Sequence, residues 1–344
     1  MSKKVLITGI LGQDGANMAD YLLNSTEHQV FGMQRRSGTP NYQNIQSFRE
    51  HSRFSLVDGD LSDSASIDRL VKQVEPDYLI NFGANSYVAV SWNMPLSVMD
   101  VNAGGVIRCL EAIRKFKPDC RFYSAGSSEE LGDVDYSPQD IKHPIKPRSP
   151  YGASKAAARH LVKVYRESYD LYAVHSILFN HEGPRRGAEF VTRKITQKVA
   201  EIFYKMKNKE SFEPLKLGNI DARRDWSDSR DFMRGIWLML NQEEPKDYVL
   251  ASGKTYPVRD FVSKAFQNAG IAGLWSGEGM EAKFRVFQEN TVLAEIDERW
   301  FRPAEVNLLH GDPTIAEKEL GWKREISFDQ MVKDMVDNDI QNYE

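Results

Sequence analysis

Short apolar runs alternate with longer amphipathic segments through the first half of the chain. The apolar runs are rich in β-branched residues and predict strands, because a strand buried on both faces has little room for polar side chains. These runs lie at residues 5–8, 29–33, 54–57, 78–82, 122–125 and 174–178. The segments between them have helical spacing, around residues 18–23, 67–74, 98–116 and 153–169. The alternation indicates an α/β fold with a doubly wound parallel sheet and helices on both faces.

After about Pro184 this rhythm changes, and the remaining pattern indicates a smaller α/β domain that is interleaved with the first. We predict a long helix, a short strand, a second helix and a last sheet strand at residues 191–206, 215–217, 231–240 and 248–251. The first domain is predicted to comprise residues 1–182 plus about 228–252, and the substrate-binding domain about 183–227 and 253–344. The least regular stretch, 270–279, is predicted to be a surface loop.

The composition of the 344-residue chain argues against several classes of function. Lysine plus arginine total 45 against 49 aspartate plus glutamate, a formal charge of −4. No basic stripe interleaves with aromatic residues, so we expect no nucleic-acid partner, and no segment is apolar enough for us to expect a membrane span. Cys109 and Cys120 are too few for a disulfide framework or a zinc site, so we expect no metal. The first strand follows Met1 almost directly, which leaves no room for a signal peptide and favours a cytoplasmic location.

Three glycines follow the first predicted strand at a spacing that suits a dinucleotide. Gly9 allows a sharp turn, Gly12 allows the backbone to approach a pyrophosphate, and Gly15 allows the next helix to pack closely. The phosphates would lie at the amino end of that helix, near Gln13 and Asp14. Because ligands of such sheets bind at the carboxyl ends of the strands, the spacing predicts a Rossmann-type sheet that holds a nicotinamide cofactor.

The residues after the second predicted strand distinguish between the two nicotinamide dinucleotides. An NAD-binding chain usually has a carboxylate there, whereas this chain has Arg35 and Arg36. Two guanidiniums suit the additional 2′-phosphate and favour NADP; the alternative is that they only solvate a loop. Later strand ends add further predicted cofactor contacts, at Asp60, Leu61, Phe82, Gly83, Ala84 and Ser86.

A serine, a tyrosine and a lysine after the fifth predicted strand give the first indication of chemistry. Tyr151 and Lys155 are one helical turn apart, and Ser127 precedes them in the segment SSEELG. Together with the glycine turn, this order resembles the extended short-chain dehydrogenase/reductase superfamily. The resemblance implies that Tyr151 takes a proton from a sugar hydroxyl and that Ser127 binds the same oxygen. It also implies that Lys155 lowers the pKa of the phenol from about 10 and that Tyr151 and Lys155 contact the cofactor.

Glu129, two residues after Ser127, points to more than an oxidation. Once carbon 4 of a sugar has become a ketone, the proton on carbon 5 is acidic, and a carboxylate can remove it. Water can then leave from carbon 6, and hydride returned to carbon 6 would give a 4-keto-6-deoxy sugar and regenerate oxidised NADP. The alternative is that Glu129 and Glu130 are two solvated acids of a loop.

Further segments follow in a specific order: YRESY at 165–169, ILFNHE at 177–182, PRRG at 184–187, FVTRKI at 190–195, LGN at 217–219, DARRDW at 221–226, RPAEV at 302–306 and GDP at 311–313. This order resembles the GDP-mannose 4,6-dehydratase family over nearly the whole chain. The resemblance implies a tightly bound, recycled NADP that His181 and Arg186 also contact. It implies a homodimer or homotetramer in which the Arg185–Arg186 segment lies near a subunit interface. The implied GDP-sugar site consists of Ser86, Ser127, Ser128, Glu129, Asn180, Val191, Lys194, Leu217, Arg223, Arg302 and Glu305.

Some members of this predicted site also follow from physical chemistry. Arg223 and Arg302 come from separate parts of the second domain and suit the two phosphates of a nucleotide diphosphate. The alternative for the Arg223 cluster is a structural ion-pair network. The aromatic residues Trp226, Trp237, Trp300 and Trp322 are predicted to pack in the core or at an interface, and none is assigned to the site.

Two departures from the family pattern lie close to the predicted catalytic residues. Ser127 keeps the hydroxyl of the family's threonine, but Leu131 replaces a tyrosine, and segment 133–147 is unlike the common version. Because this region is expected to lie near the sugar, another GDP-sugar such as GDP-manno-heptose stays a possible substrate. A nucleotide-sugar 4-reductase or epimerase also stays open, although Glu129 argues against it, as does a catalytically silent NADP-binding module.

Overall fold

The computed structural model describes residues 2–301 and 306–343 of the chain. Its strands in chain order are β1 (Lys4–Thr8), β2 (Gln29–Gln34), β3 (Phe54–Asp58), β4 (Tyr78–Asn81), β5 (Arg121–Ala125), β6 (Ala173–Leu178), β7 (Asn180–Glu182), β8 (Leu215–Leu217), β9 (Arg223–Arg224), β10 (Trp226–Asp228), β11 (Tyr248–Leu250), β12 (Tyr256–Pro257), β13 (Gly273–Ser276), β14 (Lys283–Val286), β15 (Val292–Ile296) and β16 (Leu308–Leu309). Its helices are α1 (Gln13–Ser25), α2 (Ser64–Val74), α3 (Val88–Ser91), α4 (Pro95–Met99), α5 (Gly105–Phe116), α6 (Pro150–Tyr169), α7 (Val191–Lys207), α8 (Ser229–Leu240), α9 (Val258–Asn268), α10 (Thr314–Leu320) and α11 (Phe328–Gln341).

Within the described residues, the main sheet has seven parallel strands in the order β11-β6-β5-β4-β1-β2-β3. Successive side chains of β1 alternate across it. Val5 and Ile7 pack on the face covered by α1 and α8, whereas Leu6 packs on the face covered by α2, α5 and α6. Cores on both faces confirm the predicted doubly wound α/β fold.

A second core lies outside the main sheet. Helices α7, α9 and α11 pack against a small sheet with the strand order β13-β14-β15-β8. Phe261, Phe266 and Phe284 are fully buried there or nearly so. The smaller interleaved α/β unit predicted from the pattern after Pro184 is therefore present.

The prediction of a surface loop at residues 270–279 is wrong, because β13 lies inside this stretch and pairs antiparallel with β14. The ring of Trp275 packs 5.3 Å from that of Phe284, which gives the strand a buried face. Gly270 and Gly277, both with positive φ, bracket the strand. Glycines near a short strand carry the same sequence signal as glycines inside a loop.

Helix α10 packs with the main sheet although the predicted division assigned its residues to the second domain. Ala316, Leu320 and Trp322 belong to the same core as α1 and α8, and the indole N–H of Trp322 donates to the carbonyl oxygen of Asp231 at 2.8 Å. The remaining domain boundaries stay predictions. No helix in residues 2–301 and 306–343 has both the length and the apolar character that crossing a bilayer requires.

Candidate active site

The turn after β1 needs glycine at two of its positions. Gly9 has a φ of +70°, and a Cβ added to it would lie 2.8 Å from the backbone nitrogen of Gly83. A Cβ at Gly15 would lie 2.4 Å from the carbonyl oxygen of Gly9. With both side chains absent, α1 begins after Gly12 close against the strand, and its first residues border a large cavity. This is the geometry that holds a pyrophosphate at the amino end of a helix.

That cavity encloses about 1130 Å³ at the carboxyl ends of the main-sheet strands. It exceeds the roughly 300–1,000 Å³ typical of a site for one small ligand, so it has room for a cofactor and a substrate together. Its sheet side includes Gly9, Gly12, Gln13, Asp14, Gly15, Arg35, Asp60, Leu61, Phe82, Gly83, Ala84 and Ser86. The rest includes Ser127, Ser128, Glu129, Tyr151, Lys155, Asn180, His181, Arg186, Val191, Lys194 and Leu217. The structure brings these predicted site residues together.

The start of α6 determines where two of the predicted catalytic residues lie. Ser149 caps the helix by accepting a hydrogen bond at 3.0 Å from a backbone N–H of the first turn. Pro150 follows at the first helical position, where a missing N–H costs nothing. Tyr151 and Lys155 then lie four residues apart on one face, and both are more than nine-tenths buried. The Ser127 side chain is near the Tyr151 phenol and lowers its pKa.

Lys155 is held by the backbone at the end of β5. Its Nζ donates to the carbonyl oxygen of Ala125 at 2.7 Å and lies 5.9 Å from the centre of the Tyr151 ring. Burial lowers the pKa of Lys155 to about 8, although two nearby carboxylates oppose this shift. Burial raises the pKa of Tyr151, the nearby Ser127 side chain lowers it, and nearby carboxylates raise it further. The phenol is therefore protonated in this arrangement, and its ionisation requires additional positive charge nearby.

His181 and Asp14 form a buried ion pair at the edge of the glycine turn. His181 Nε2 is 2.9 Å from Asp14 Oδ2, and His181 Nδ1 is 2.8 Å from the carbonyl oxygen of Phe179. Because both ring nitrogens face acceptors, both carry hydrogen and the ring is an imidazolium. Burial alone would lower the pKa of His181, but Asp14 outweighs it and the pKa is raised. Burial would raise the pKa of Asp14, but His181 outweighs it and the pKa is lowered.

A buried acid holds Arg186 at the cavity. Arg186 Nε is 3.0 Å from Glu182 Oε2, and the guanidinium carbon is 3.6 Å from the centre of the Phe190 ring. Glu182 also accepts a hydrogen bond from the Thr192 hydroxyl at 2.6 Å. Arg185 instead binds two polar side chains of α1, at 2.7 and 3.0 Å. The two adjacent arginines therefore differ: Arg186 presents a fixed charge to the cavity, and Arg185 ties the loop after β7 to α1.

Two predicted arginines, Arg36 and Arg223, are absent from the described cavity wall. Arg36 is exposed beside Arg35, which does line the cavity. Arg223 is also exposed, and its guanidinium donates to the carbonyl and hydroxyl oxygens of Thr255 at 2.9 and 3.1 Å. The next residue of β9, Arg224, is 9% exposed and lines the cavity. Successive side chains of a strand point to opposite sides, so the cavity arginine is Arg224 and not the predicted Arg223.

Leu131 and segment 133–147 do not contribute to the described cavity wall. Leu131 is fully buried in an apolar cluster that includes Phe179. The segment packs near the end of β16, where the N–H of Gln139 donates to the carbonyl oxygen of His310 at 2.7 Å. These departures therefore do not themselves line the described cavity, although Phe179 of the same cluster does, and their effect on the sugar pocket stays a prediction.

Some site residues carry no recognised sequence signal or lie outside the described structure. Trp300, predicted to pack in the core or at an interface, is 49% exposed and lines the cavity. The Nζ of Lys194 lies 3.0 Å from the centre of its indole ring system, and burial lowers the pKa of Lys194 to about 8. These two residues are far apart in the sequence, so no local pattern indicates their contact.

Arg302 and Glu305 lie outside the described residues. Further cavity residues that the sequence pattern does not indicate are Tyr87, Arg185 and Phe190.

Comparisons of the sequence with known proteins identify one family, and a comparison of structures supports the fold. The sequence model of a family described as GDP-mannose 4,6 dehydratase matches residues 6–335. A GDP-mannose 4,6-dehydratase of Yersinia enterocolitica is 42% identical, over 98% of this chain and 94% of that protein. A GDP-mannose 4,6 dehydratase of Homo sapiens is 40% identical, over 98% and 91% respectively. The structure of dTDP-glucose 4,6-dehydratase from Bacillus anthracis in complex with NAD matches this one with a TM-score of 0.80 at 19% identity. The match covers 99% of this chain and 97% of that one, and it supports the fold.

Proposed function

The chain belongs to the GDP-mannose 4,6-dehydratase family, and on that premise we propose that it is an NADP-dependent hydro-lyase acting on GDP-mannose. The proposed products are GDP-4-keto-6-deoxymannose and water. Carbon 4 is oxidised, water is eliminated across carbons 5 and 6, and carbon 6 is reduced. One observation carries the proposal: Glu129 lines the same cavity as Ser127, Tyr151 and Lys155. The latter three suffice for an oxidation, whereas the elimination of water in a dehydration also needs a base for carbon 5.

The residues on the sheet side of the cavity fit NADP. The glycine turn provides a space that a Cβ would fill, and the side-chain oxygen of Gln13 is buried with no hydrogen-bond partner in the described chain. Arg35 offers a guanidinium for the 2′-phosphate, while His181 and Arg186 add fixed positive charge. When bound, NADP supplies a positively charged nicotinamide that accepts hydride from carbon 4 of the sugar and returns it to carbon 6.

Tyr151 is the proposed base for the first proton transfer. The Ser127 side chain lies close enough to its phenol to lower the pKa of Tyr151, so one substrate oxygen can be held between the two hydroxyls. Tyr151 takes the proton of the carbon-4 hydroxyl as that carbon is oxidised. With a pKa of about 8, Lys155 keeps its charge at neutral pH and favours the phenolate.

Glu129 is the proposed base for the elimination. Its backbone N–H donates to the Ser127 hydroxyl oxygen at 3.2 Å, which fixes it beside the group that binds the carbon-4 oxygen. The new carbonyl at carbon 4 acidifies the hydrogen on carbon 5, and the Glu129 carboxylate accepts it as a proton. The carbon-6 hydroxyl then leaves as water with that proton. Reduction at carbon 6 and return of a proton to carbon 5 complete the product.

One side of the cavity is formed by the unit that contains the second core, and the positively charged side chains there support a nucleotide diphosphate as substrate. Arg224 and Lys194 both line this side, and Trp300 lies directly against Lys194. The side-chain oxygen of Asn180 is buried there without a hydrogen-bond partner among the described residues. We propose that these groups bind the GDP-sugar, with Val191 and Leu217 as apolar neighbours. Contacts from Arg302 and Glu305 stay predictions.

Among the described cavity residues, none gives a specific reason to prefer a different substrate over GDP-mannose. The case for a GDP-manno-heptose depended on Leu131 and segment 133–147, which contribute nothing to the described cavity wall. A 4-reductase or epimerase has no use for a base at carbon 5, so the position of Glu129 in the cavity argues against both.

An exposed apolar surface supports the proposed homodimer or homotetramer. Trp92, Met94, Leu96 and Met99 are all exposed, Leu96 by 85%. Exposed apolar surfaces of this kind usually bind another protein surface. The Arg185 side chain, predicted to lie near a subunit interface, binds side chains of α1 in the same chain.

We also propose a cytoplasmic location, which the two buried, unbridged cysteines support.

The function is tested by incubating the purified protein with GDP-mannose without added NADPH and following the mass of the sugar nucleotide. Loss of one water is expected, and Tyr151→Phe should abolish it because the first oxidation has no base. An unchanged mass from wild-type protein that is shown to hold NADP would contradict GDP-mannose as the substrate.

A further inference from the structure

Glu130 is a buried carboxylate behind the proposed catalytic residues, and the proposed mechanism does not use it. It is 0% exposed, like His175 on the neighbouring strand β6. One oxygen, Oε1, accepts a hydrogen bond from the N–H of Ser127 at 2.7 Å and is 3.0 Å from His175 Nε2. The sequence-based alternative that Glu130 is a solvated loop acid is therefore wrong.

The backbone leaves space for this pair. A Cβ on Gly126 would lie 2.2 Å from His175 Nε2 and 2.5 Å from Glu130 Oε1. The backbone N–H of His175 in turn donates to a carboxylate oxygen of Asp247 at 2.8 Å. Any side chain at Gly126 would displace the pair, so the end of β5 is shaped around Glu130 and His175.

Stability does not explain why a polar pair occupies this position. In the described part of the chain, Glu130 Oε2 and His175 Nδ1 are buried without a hydrogen-bond partner. A buried polar atom without a partner destabilises the folded state. Apolar side chains of similar volume commonly replace buried ionic pairs with no loss of stability. The pair therefore costs stability that an apolar pair would retain, which points to a role in function.

The contacts of Glu130 indicate that role. The Ser127 hydroxyl oxygen accepts from the N–H of Glu129 at 3.2 Å, while the Glu130 carboxylate accepts from the N–H of Ser127. These two bonds form a capping box around the short helix Ser128–Glu130. Its geometry sets the direction of the Ser127 side chain and the position of Glu129 together.

We propose that Glu130 is a positioning residue for the dehydration, and that His175 holds its carboxylate in place. The inference rests on the proposed function, because it assigns Glu130 to the support of Ser127 and Glu129 in that reaction. Loss of the carboxylate lets Ser127 and Glu129 move relative to the sugar without removing any group that binds the nucleotide. The turnover number should fall while substrate binding is retained.

The test compares Glu130→Met with Glu130→Gln in the NADP-loaded enzyme with GDP-mannose. Glu130→Met removes the acceptor for the Ser127 N–H, and we expect kcat to fall about 100-fold, the effect of a small misplacement of reacting groups. Glu130→Gln keeps an acceptor oxygen and should rescue most of this loss. In both variants KM should stay within about twofold of wild type, because the groups that bind the substrate equally in the ground state and the transition state are unchanged.

The double variant Glu130→Met/His175→Leu separates positioning from folding, because it also removes the buried imidazole that Glu130→Met alone would leave without its carboxylate partner. It should be more stable to heat than Glu130→Met and keep the low kcat of that variant. Wild-type kcat in either Met-containing variant, or a KM that rises in proportion to the loss of kcat, would overturn the proposal. If neither folds, a kcat in Glu130→Gln within about tenfold of wild type with unchanged KM supports it, and a larger fall in kcat or a KM that rises in proportion to the loss of kcat overturns it. Failure of the proposed function would appear differently, as no dehydration by the wild type.

Discussion

At the scale of single residues, the proposed chemistry depends on where charge lies around one phenol. Burial raises the pKa of Tyr151, and Lys155, one helical turn further on, is bound to a backbone carbonyl with its own pKa lowered to about 8. Neither residue has this property because of its sequence neighbours alone. The end of β5 and the first turn of α6 create it together by excluding water from both side chains.

Glu129→Gln should separate the oxidation from the elimination. The amide cannot accept the proton of carbon 5, whereas Tyr151 still takes the proton of the carbon-4 hydroxyl. We expect turnover to fall at least about 100-fold, the usual contribution of a general base, with the nicotinamide left reduced after GDP-mannose is added. Absorbance of the reduced nicotinamide and the mass of the sugar nucleotide measure both effects. Full dehydration by this variant would remove Glu129 from the mechanism.

The His181–Asp14 pair should make stability depend on pH. The pKa of His181 is raised, so its contribution is complete below the ordinary value of 6.5 and is lost as pH rises through the higher folded value. The pKa of Asp14 is lowered, so its contribution is present above the ordinary value of 3.8 and is lost as pH falls through the lower folded value. The pair therefore stabilises the fold most between the two ordinary values, from pH 3.8 to 6.5, and progressively less on either side.

His181→Asn tests this window. At about pH 5.5 the variant should lose about 2 kcal/mol of unfolding free energy, the contribution of a charged hydrogen bond. As the pH is raised above 6.5 toward about 9, its difference from wild type should shrink, because the wild-type imidazolium loses its proton as the pH passes through the raised folded value. Chemical denaturation of both proteins at the two pH values measures the difference. An equal loss at both would show that the charge of His181 contributes nothing.

At the scale of secondary-structure elements, the sequence predicts what local patterns determine. Strands buried on both faces, such as β1, and the glycine turn behind α1 follow from adjacent residues. The orientation of β9 does not follow from adjacent residues, because its partner strands β12 and β16 lie far along the chain. Their pairing decides which of the two consecutive arginines borders the cavity. Leu131 shows the same limit: its place in a motif says nothing about whether it faces a ligand or the core.

Arg223→Ala and Arg224→Ala form a matched pair that tests this alternation. Arg224→Ala should raise KM for GDP-mannose about tenfold or more, the effect of losing a charged hydrogen bond to a phosphate. Within the described residues, Arg223→Ala removes bonds to Thr255 on the exposed side, and it should leave KM close to wild type. Steady-state kinetics of the two variants give the comparison. A larger effect at Arg223 would restore Arg223 as the phosphate ligand.

Gly15→Ala tests how closely α1 must pack on the turn after β1. Its new Cβ would lie 2.4 Å from the carbonyl oxygen of Gly9 and 2.8 Å from the Cα of Ile10, both backbone atoms that cannot move aside cheaply. We expect a loss of about 1–3 kcal/mol of stability and less NADP retained through purification. Gly38→Ala is the control, because its Cβ would meet nothing within 4 Å. Equal NADP content in both variants would argue against a cofactor at this turn.

At the scale of the whole molecule, the site exists because two cores meet. Glu129 and Tyr151 come from the main sheet and its helices, whereas Lys194 and Trp300 come from the second unit. Chemistry and nucleotide binding are therefore supplied by different parts of the fold. The exposed apolar surface around α4 matters at the same scale. It follows directly along the chain from residues 82–89, which line the cavity.

Leu96→Asp should weaken the proposed association through this surface. Leu96 is 85% exposed, and a carboxylate there would be buried without a partner if two copies met through α4. Light scattering after size-exclusion chromatography should give a multimer for the wild type and a smaller mass for the variant at the same concentration. Leu274→Asp, at a site 59% exposed on the distant strand β13, is the matched control and should keep the wild-type mass. A monomeric wild type, or the same mass for both variants, would exclude α4 from the subunit interface.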